Sequence, residues 1–203
     1  MLRKLICALA VVLLVCACAC AQGVESKLSV LKDGDEHFKL VNAEGKTIID
    51  GLTQQPNFFT HDYAVVRKGT GVMETGMSDT DVEVSLEGLV SSQGEIVIPC
   101  EYDDLTYQDG MNFVRAEVGN YFGLLDLQGN VVFGFGYDDI TLFSHNRAVL
   151  EKYEDGRRVY GMIDENAEFV LPLEYGYLEL AGDEVIASEW TKKDGKNVVG
   201  LRG

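Results

Sequence analysis

Beyond residue 28 the chain alternates apolar and polar stretches in short steps. VYGMID, from Val159, is short and apolar and ends in an acid. A polar turn such as Gln128-Gly129-Asn130 follows the matching stretch in the middle of the chain. Next come runs rich in β-branched or aromatic residues: EIVIP, NVVFGF and EFVLP. A Tyr-acid segment follows, and then a further apolar run: YAVVRK, NFVRAE, RAVLEK or EVIASEW. Runs this short, bounded by turn residues, have the length of strands and not of helices. Asp155-Gly156 and Asp194-Gly195 are hairpin signals, because Gly supplies positive φ at little steric cost. No helical stripe occurs after the first residues. The pattern predicts an all-β chain with about three short antiparallel strands per unit.

The units repeat. GLVSSQGEIVIPCEYDDLT from Gly88 and GLLDLQGNVVFGFGYDDIT from Gly123 share nine identities in nineteen positions. A third copy, GMIDENAEFVLPLEYGYLE, starts at Gly161, and a fourth starts at Gly200, giving intervals of 35, 38 and 39. A degenerate copy near the start, DGDEHFKLVNAEGKTIID from Asp33, places Phe38 on Tyr160. The array therefore begins and ends in the same phase. Self-similarity at such a period means a repeat architecture of about four units over 28–203, solenoid-like or propeller-like, in which stacked neighbours bury each other's apolar faces. The positions that define the repeat are Phe38, Gly88, Gly94, Tyr102, Phe122, Gly123, Gly129, Tyr137, Tyr160, Gly161 and Tyr175. The aromatic of each unit is expected against the next unit's apolar run.

Phe122-Gly123-Leu124-Leu125-Asp126 and Tyr160-Gly161-Met162-Ile163-Asp164, with Val97-Ile98-Pro99 and Tyr102-Asp103, resemble the bacterial WG-repeat unit. That unit runs roughly W-G-x-I-D-x-x-G-x-x-V-I-P-x-x-Y-D. The Trp never appears; Phe38, Glu87, Phe122, Tyr160 and Val199 stand in its place. The resemblance covers roughly 28–203. It implies an all-β repeat and carries no general catalytic residues.

The first residues change the picture of where the chain works. Arg3 and Lys4 precede an apolar stretch from Leu5 to Val15, too short to span a bilayer core. Small residues and cysteines follow, as in an export signal. Residues 1–20 are read as this signal and 21–27 as a linker. Val15-Cys16-Ala17-Cys18 resembles a lipobox with Cys18 as the acylated residue; Cys16 and Cys20 are alternatives. Ala19-Cys20-Ala21 offers ordinary cleavage and secretion instead. A diacylated Cys18 would supply the two chains that stable anchoring needs. The expected location is the extracytoplasmic face of the cell membrane.

With four of five cysteines in the leader, only Cys100 remains, so no disulfide framework forms later in the chain. Cys100 is expected to be a small core side chain. The net charge of -16 repels nucleic acid and anionic headgroups.

Candidate chemistry is sparse. Asp103-Asp104 and Asp138-Asp139 admit a polysaccharide hydrolase reading. However, adjacent strand residues face opposite ways, and Asp is a turn former. His37, His61 and His145 are scattered in expected loops or turns. No HExxH, CxxC, phosphate loop or nucleophile elbow is present, so no cofactor, metal or catalytic residue is expected. One segment breaks the repeat: GTGVMETGMSDTDVEVS from Gly69, an insertion where other units use minimal turns. Its Met73, Glu74, Met77 and Asp79, together with Trp190, are the candidate binding residues. The expected function is a non-enzymatic binding or scaffolding module for a protein or glycan at the cell surface. Envelope polysaccharide hydrolysis and a purely structural spacer are the alternatives.

Overall fold

The computed structural model describes residues 28–34, 36–56, 62–75, 81–193 and 196–201, with side chains up to residue 191. Cys18, His61, Met77, Asp79 and the Asp194-Gly195 turn lie outside the described residues. Among the described residues all regular secondary structure is β-strand.

Three antiparallel meander sheets follow one another along the chain. The first holds β1 (Ser29–Asp33), β2 (His37–Val41), β3 (Thr47–Leu52), β4 (Tyr63–Thr75), β5 (Asp81–Ser91) and β6 (Ile96–Tyr102). The second holds β7 (Asp104–Tyr107), β8 (Phe113–Val118), β9 (Tyr121–Asp126) and β10 (Val131–Tyr137). The third holds β11 (Asp139–Ile140), β12 (Arg147–Glu154), β13 (Arg157–Asp164), β14 (Phe169–Ala181), β15 (Glu184–Lys193) and β16 (Lys196–Leu201). None of these sheets closes on itself.

The second sheet has four strands, one more than the sequence pattern predicts. The extra strand is β7, the segment just after Tyr102-Asp103. It is too short to carry a visible alternation, yet it pairs with β8 from Asp104↔Glu117 to Tyr107↔Val114.

Burial joins the units. Leu40, Ile49 and Leu52 of the first strands pack on Ala64, Val66 and Val90. Leu89 and Ile98 of the first sheet meet Leu105, Val114, Ala116 and Leu125 of the second. Leu124 of the second meets Ile140, Ala148, Leu150 and Ile163 of the third. Leu178 then folds over Val149 and Met162. Adjacent Leu124 and Leu125 thus point to opposite neighbours, as strand alternation requires. The second sheet has two apolar faces because it has a neighbouring sheet on both sides, while the first and third each fold part of their own strands over the other face. Phe38 packs on the first cluster and Phe122 on the third, each cluster also taking the residue just past the next unit's run, Cys100 and Leu173.

The glycine of each unit has a single job. Gly88, Gly123 and Gly161 lie opposite a bulge, where two residues on the inner strand span four on the outer. A Cβ on Gly123 would stand 2.8 Å from the Phe133 carbonyl, and one on Gly88 2.6 Å from that of Ile98. Close backbone approach, not positive φ, demands these glycines.

The acid that follows is a turn-former. The Asp126 carboxylate accepts the amides of Gln128 and Asn130, at 2.9 and 2.8 Å. Asp164 accepts those of Asn166 and Glu168, both at 2.9 Å. Asn42 and Ser91 accept from Lys46 and Glu95 at the matching positions. The Asn130 side chain holds the Asp126 carboxyl below the usual aspartate range. The Glu168 and Asn166 amides do the same for Asp164. Each turn closes at positive φ, on Gly45, Gly94, Gly129 and, in the last, Ala167.

Candidate functional site

The described part of the insertion, residues 69–75 and 81–85, is paired strand. β4 and β5 pair from Tyr63↔Ser91 as far as Thr75↔Asp81, so the segment is a two-stranded ribbon continuing out of the sheet. A register shift between Gly69 and Met73, with Gly71 at φ 74°, marks a bulge in it. The Thr70 hydroxyl donates to the Val84 carbonyl at 2.8 Å. Glu83 accepts the Gly71 amide at 2.8 Å and meets His37 of β2 at 2.8 Å. His37 therefore opens a strand and does not sit in a loop. Its contact, and then the Gly71 amide, hold the Glu83 carboxyl below the usual carboxylate range.

Beyond this tether the ribbon presents apolar side chains to water. Val72, Met73 and Val82 are 54%, 57% and 57% exposed. Met73 stands across from Glu83 and Glu74 across from Val82. Met73 and Glu74 are neighbours on one strand, so they face opposite sides of the ribbon.

Trp190 is built into the last sheet. Its indole Nε1 donates to the Arg158 carbonyl at 3.0 Å, and the Arg157 guanidinium lies 5.7 Å from its ring centre. It fixes β15 against the start of β13, as an indole with a buried face and a satisfied N–H does. The ribbon belongs to the first sheet and Trp190 to the third, so the two candidates are carried by different sheets.

The paired acids turn corners. The Asp103 amide donates to the Glu117 carbonyl at 3.0 Å, and its carboxylate accepts the Gly119 amide at 2.6 Å. Asp138 repeats both bonds, to the Glu151 carbonyl and from the Tyr153 amide. At each corner the chain leaves one sheet and starts the next. These carboxylates are engaged with their own backbone, the geometry of a structural acid.

Three features escaped the sequence reading. Glu87, in the aromatic position of its unit, is 3% exposed. It accepts the Leu105 amide of the second sheet at 2.7 Å and pairs with Arg67. An acid in a column otherwise of Phe, Tyr and Val was the available signal. Arg115 lies 4.9 Å from the Phe122 ring centre and donates to the Ile140 carbonyl at 3.1 Å, linking the second sheet to the third. Finally, a shallow groove of about 290 Å³ in the third sheet is bordered by Asp139, Glu151, Tyr160, Leu178 and Glu179. Burial, then the Glu151 charge, pushes the Tyr160 hydroxyl up. Among the described residues no group of His, Cys, Asp and Glu is placed to hold a metal. Burial likewise raises the Cys100 thiol, which disfavours a reactive thiolate.

The all-β, stacked-meander architecture and the glycine-bulge unit define a β-repeat protein. Residues 88–121 and 122–154 each match the family model described as WG containing repeat, so these two segments are WG-type repeats. No curated protein matches the chain. A crystal structure of the eukaryotic initiation factor is similar at 11% identity and a TM-score of 0.39, over 87% of this chain and 50% of that one. The chain thus spans about half the length of that structure, and the score is too low to support any inference.

Proposed function

We propose that this protein is a non-enzymatic binding or scaffolding module held at the extracytoplasmic face of the cell membrane, with the β4–β5 ribbon as its contact surface. The observation that carries the reading is the ribbon itself. The β8–β9 and β12–β13 hairpins turn at once after Val118↔Tyr121 and Glu154↔Arg157, whereas β4 and β5 run on to Thr75↔Asp81. The extension is tied down by His37 and Glu83, yet carries Val72, Met73 and Val82 exposed. Ordered strands with outward apolar side chains are typical of a surface kept for a partner. Asp81 and Glu74 lend it negative charge, so the partner patch is neutral or basic and binding weakens with salt. The location rests on the leader and on Cys18 as a lipid anchor.

Proximity labelling from the anchored protein in its own cell tests this. Gly69 and Ser85 are paired, so an Asn-Gly turn replacing residues 70–84 closes the hairpin where the sheet ends. The shortened form should keep its fold and lose specific neighbours. Equal capture by both forms contradicts the ribbon reading and leaves the protein a spacer. Label from a fatty-acid probe on wild type that vanishes in Cys18→Ala supports Cys18 as the anchor; label that persists moves it to Cys16 or Cys20, and no label on wild type overturns the anchor in favour of secretion.

A further inference from the structure

The outer strands of three successive units are equivalent, and one lacks what guards the other two. β6 reads IVIPCEY, β10 reads VVFGFGY, and the first half of β14 reads FVLPLEY. Their registers coincide: Ile98, Phe133 and Leu171 pair with Leu89, Leu124 and Met162. Pro99, Gly134 and Pro172 are therefore one position, and Glu101, Gly136 and Glu174 another. Proline is tolerated in a strand only where its missing N–H faces away from the ladder. The Gly134 amide accordingly lies on the open side of β10, which among the described residues pairs with β9 alone. Proline and charge are the usual devices that keep an edge strand from pairing with a foreign one. β10 has neither: it carries no charged residue from Val131 to Tyr137, and a side chain at Gly134 or Gly136 would meet nothing within 4 Å.

The edge also adjoins an apolar strip. Val131 and Val132 are largely exposed, as are Phe169 and Val170 on the neighbouring sheet. Phe133 and Phe169 join the two at 5.6 Å, edge to face. Acids border the strip: Asp126 bonded to Asn130, Asp138 after Tyr137, and Glu168 before Phe169.

We infer that the β10 edge, around its irregular pairings at Val131–Phe133 and Phe133–Tyr137, docks an extended segment of another protein by strand addition on the side away from β9. Main-chain hydrogen bonds give such a segment affinity, and alternate side chains give it specificity. The bordering acids select apolar residues at alternate positions with Lys or Arg at the ends. A second copy of this chain fits less well, because it brings the same acids and the same net charge of -16.

The probe is a fluorescein-labelled peptide, Lys-Lys-Val-Thr-Val-Thr-Val-Lys-Lys, titrated with the full chain and followed by anisotropy. Gly134→Pro with Gly136→Glu installs the residues of the other two units, so the fold should be kept. Saturable binding to wild type, weakened at least tenfold in this variant, is the expected result. Backbone N-methylation at the central valine should abolish binding to wild type, a control that needs no variant. Equal binding by the guarded variant, or by the N-methylated peptide, overturns strand addition in favour of charge adhesion. A wild-type dimer that dissociates in the guarded variant overturns it in favour of self-pairing. The ribbon-shortened form should bind the peptide unchanged, which separates this edge from the ribbon.

Discussion

Two corners and one straight run occupy the same place in three units. After Tyr102 and Tyr137 comes an Asp, and the chain leaves its sheet there. After Tyr175 comes Gly176, and β14 runs through for 13 residues. Asp103 and Asp138 offer a carboxylate to the amide two residues past the carbonyl that their own backbone engages. Gly176 has no such acceptor, and Tyr177 pairs directly with Ser188 after a register shift. The chain still bends, since Leu178 packs back onto Val149 and Met162. A local side-chain acceptor competing with the ladder therefore decides whether a strand is interrupted, while burial decides whether it folds back.

The largest test removes what seats the outer strand before the corner. Gly123→Val forces side-chain atoms into the Phe133 carbonyl and the Phe135 ring, and should cost about 3 kcal/mol in denaturant unfolding. Next is the pair that pins the first corner from within. Arg67→Ala strands the Glu87 carboxylate beside the Leu105 amide; partial solvent access at Arg67 limits the loss to about 2 kcal/mol. The corner acids themselves are smaller. Asp103→Ala or Asp138→Ala leaves one exposed amide without its acceptor and should cost about 1 kcal/mol by the same assay. Ala167→Gly should act the other way: it relieves a left-handed residue where Gly45, Gly94 and Gly129 stand in the other turns, a gain of about 0.5 kcal/mol.

Acid gives the last effect. Asp126 and Asp164 have carboxyls held below the ordinary range in the fold. Their contribution is complete above the unfolded value near ~4 and is lost as pH falls through the lowered folded values. The melting temperature should therefore drop below about pH 4. Asp126→Asn with Asp164→Asn should flatten that drop.

Strands and turns were legible because period-two runs and Gly-bearing turns are local signals. The repeat placed Gly88, Gly123 and Gly161 in register, although their reason, close approach across a bulge, needed the paired strand. β7 and β11 were hidden because two to four residues carry no period. The strand pairing within the insertion was hidden because Gly69, Gly71 and Gly76 punctuate it; Glu83, from β5 and in contact with β2, ties its described part down. Glu87 and Arg115 act between sheets, where one strand's sequence holds no record of its partner.

Hydrogen exchange at the Gly119 and Tyr153 amides tests the corner account most directly. Asp103→Ala should speed exchange at Gly119, and Asp138→Ala at Tyr153, with the paired amides around Tyr177 unchanged and no hydrolysis of cell-envelope polysaccharide by wild type. Unchanged exchange, together with wild-type hydrolysis that Asp103→Asn or Asp138→Asn abolishes, would show that these acids serve chemistry and not the corner.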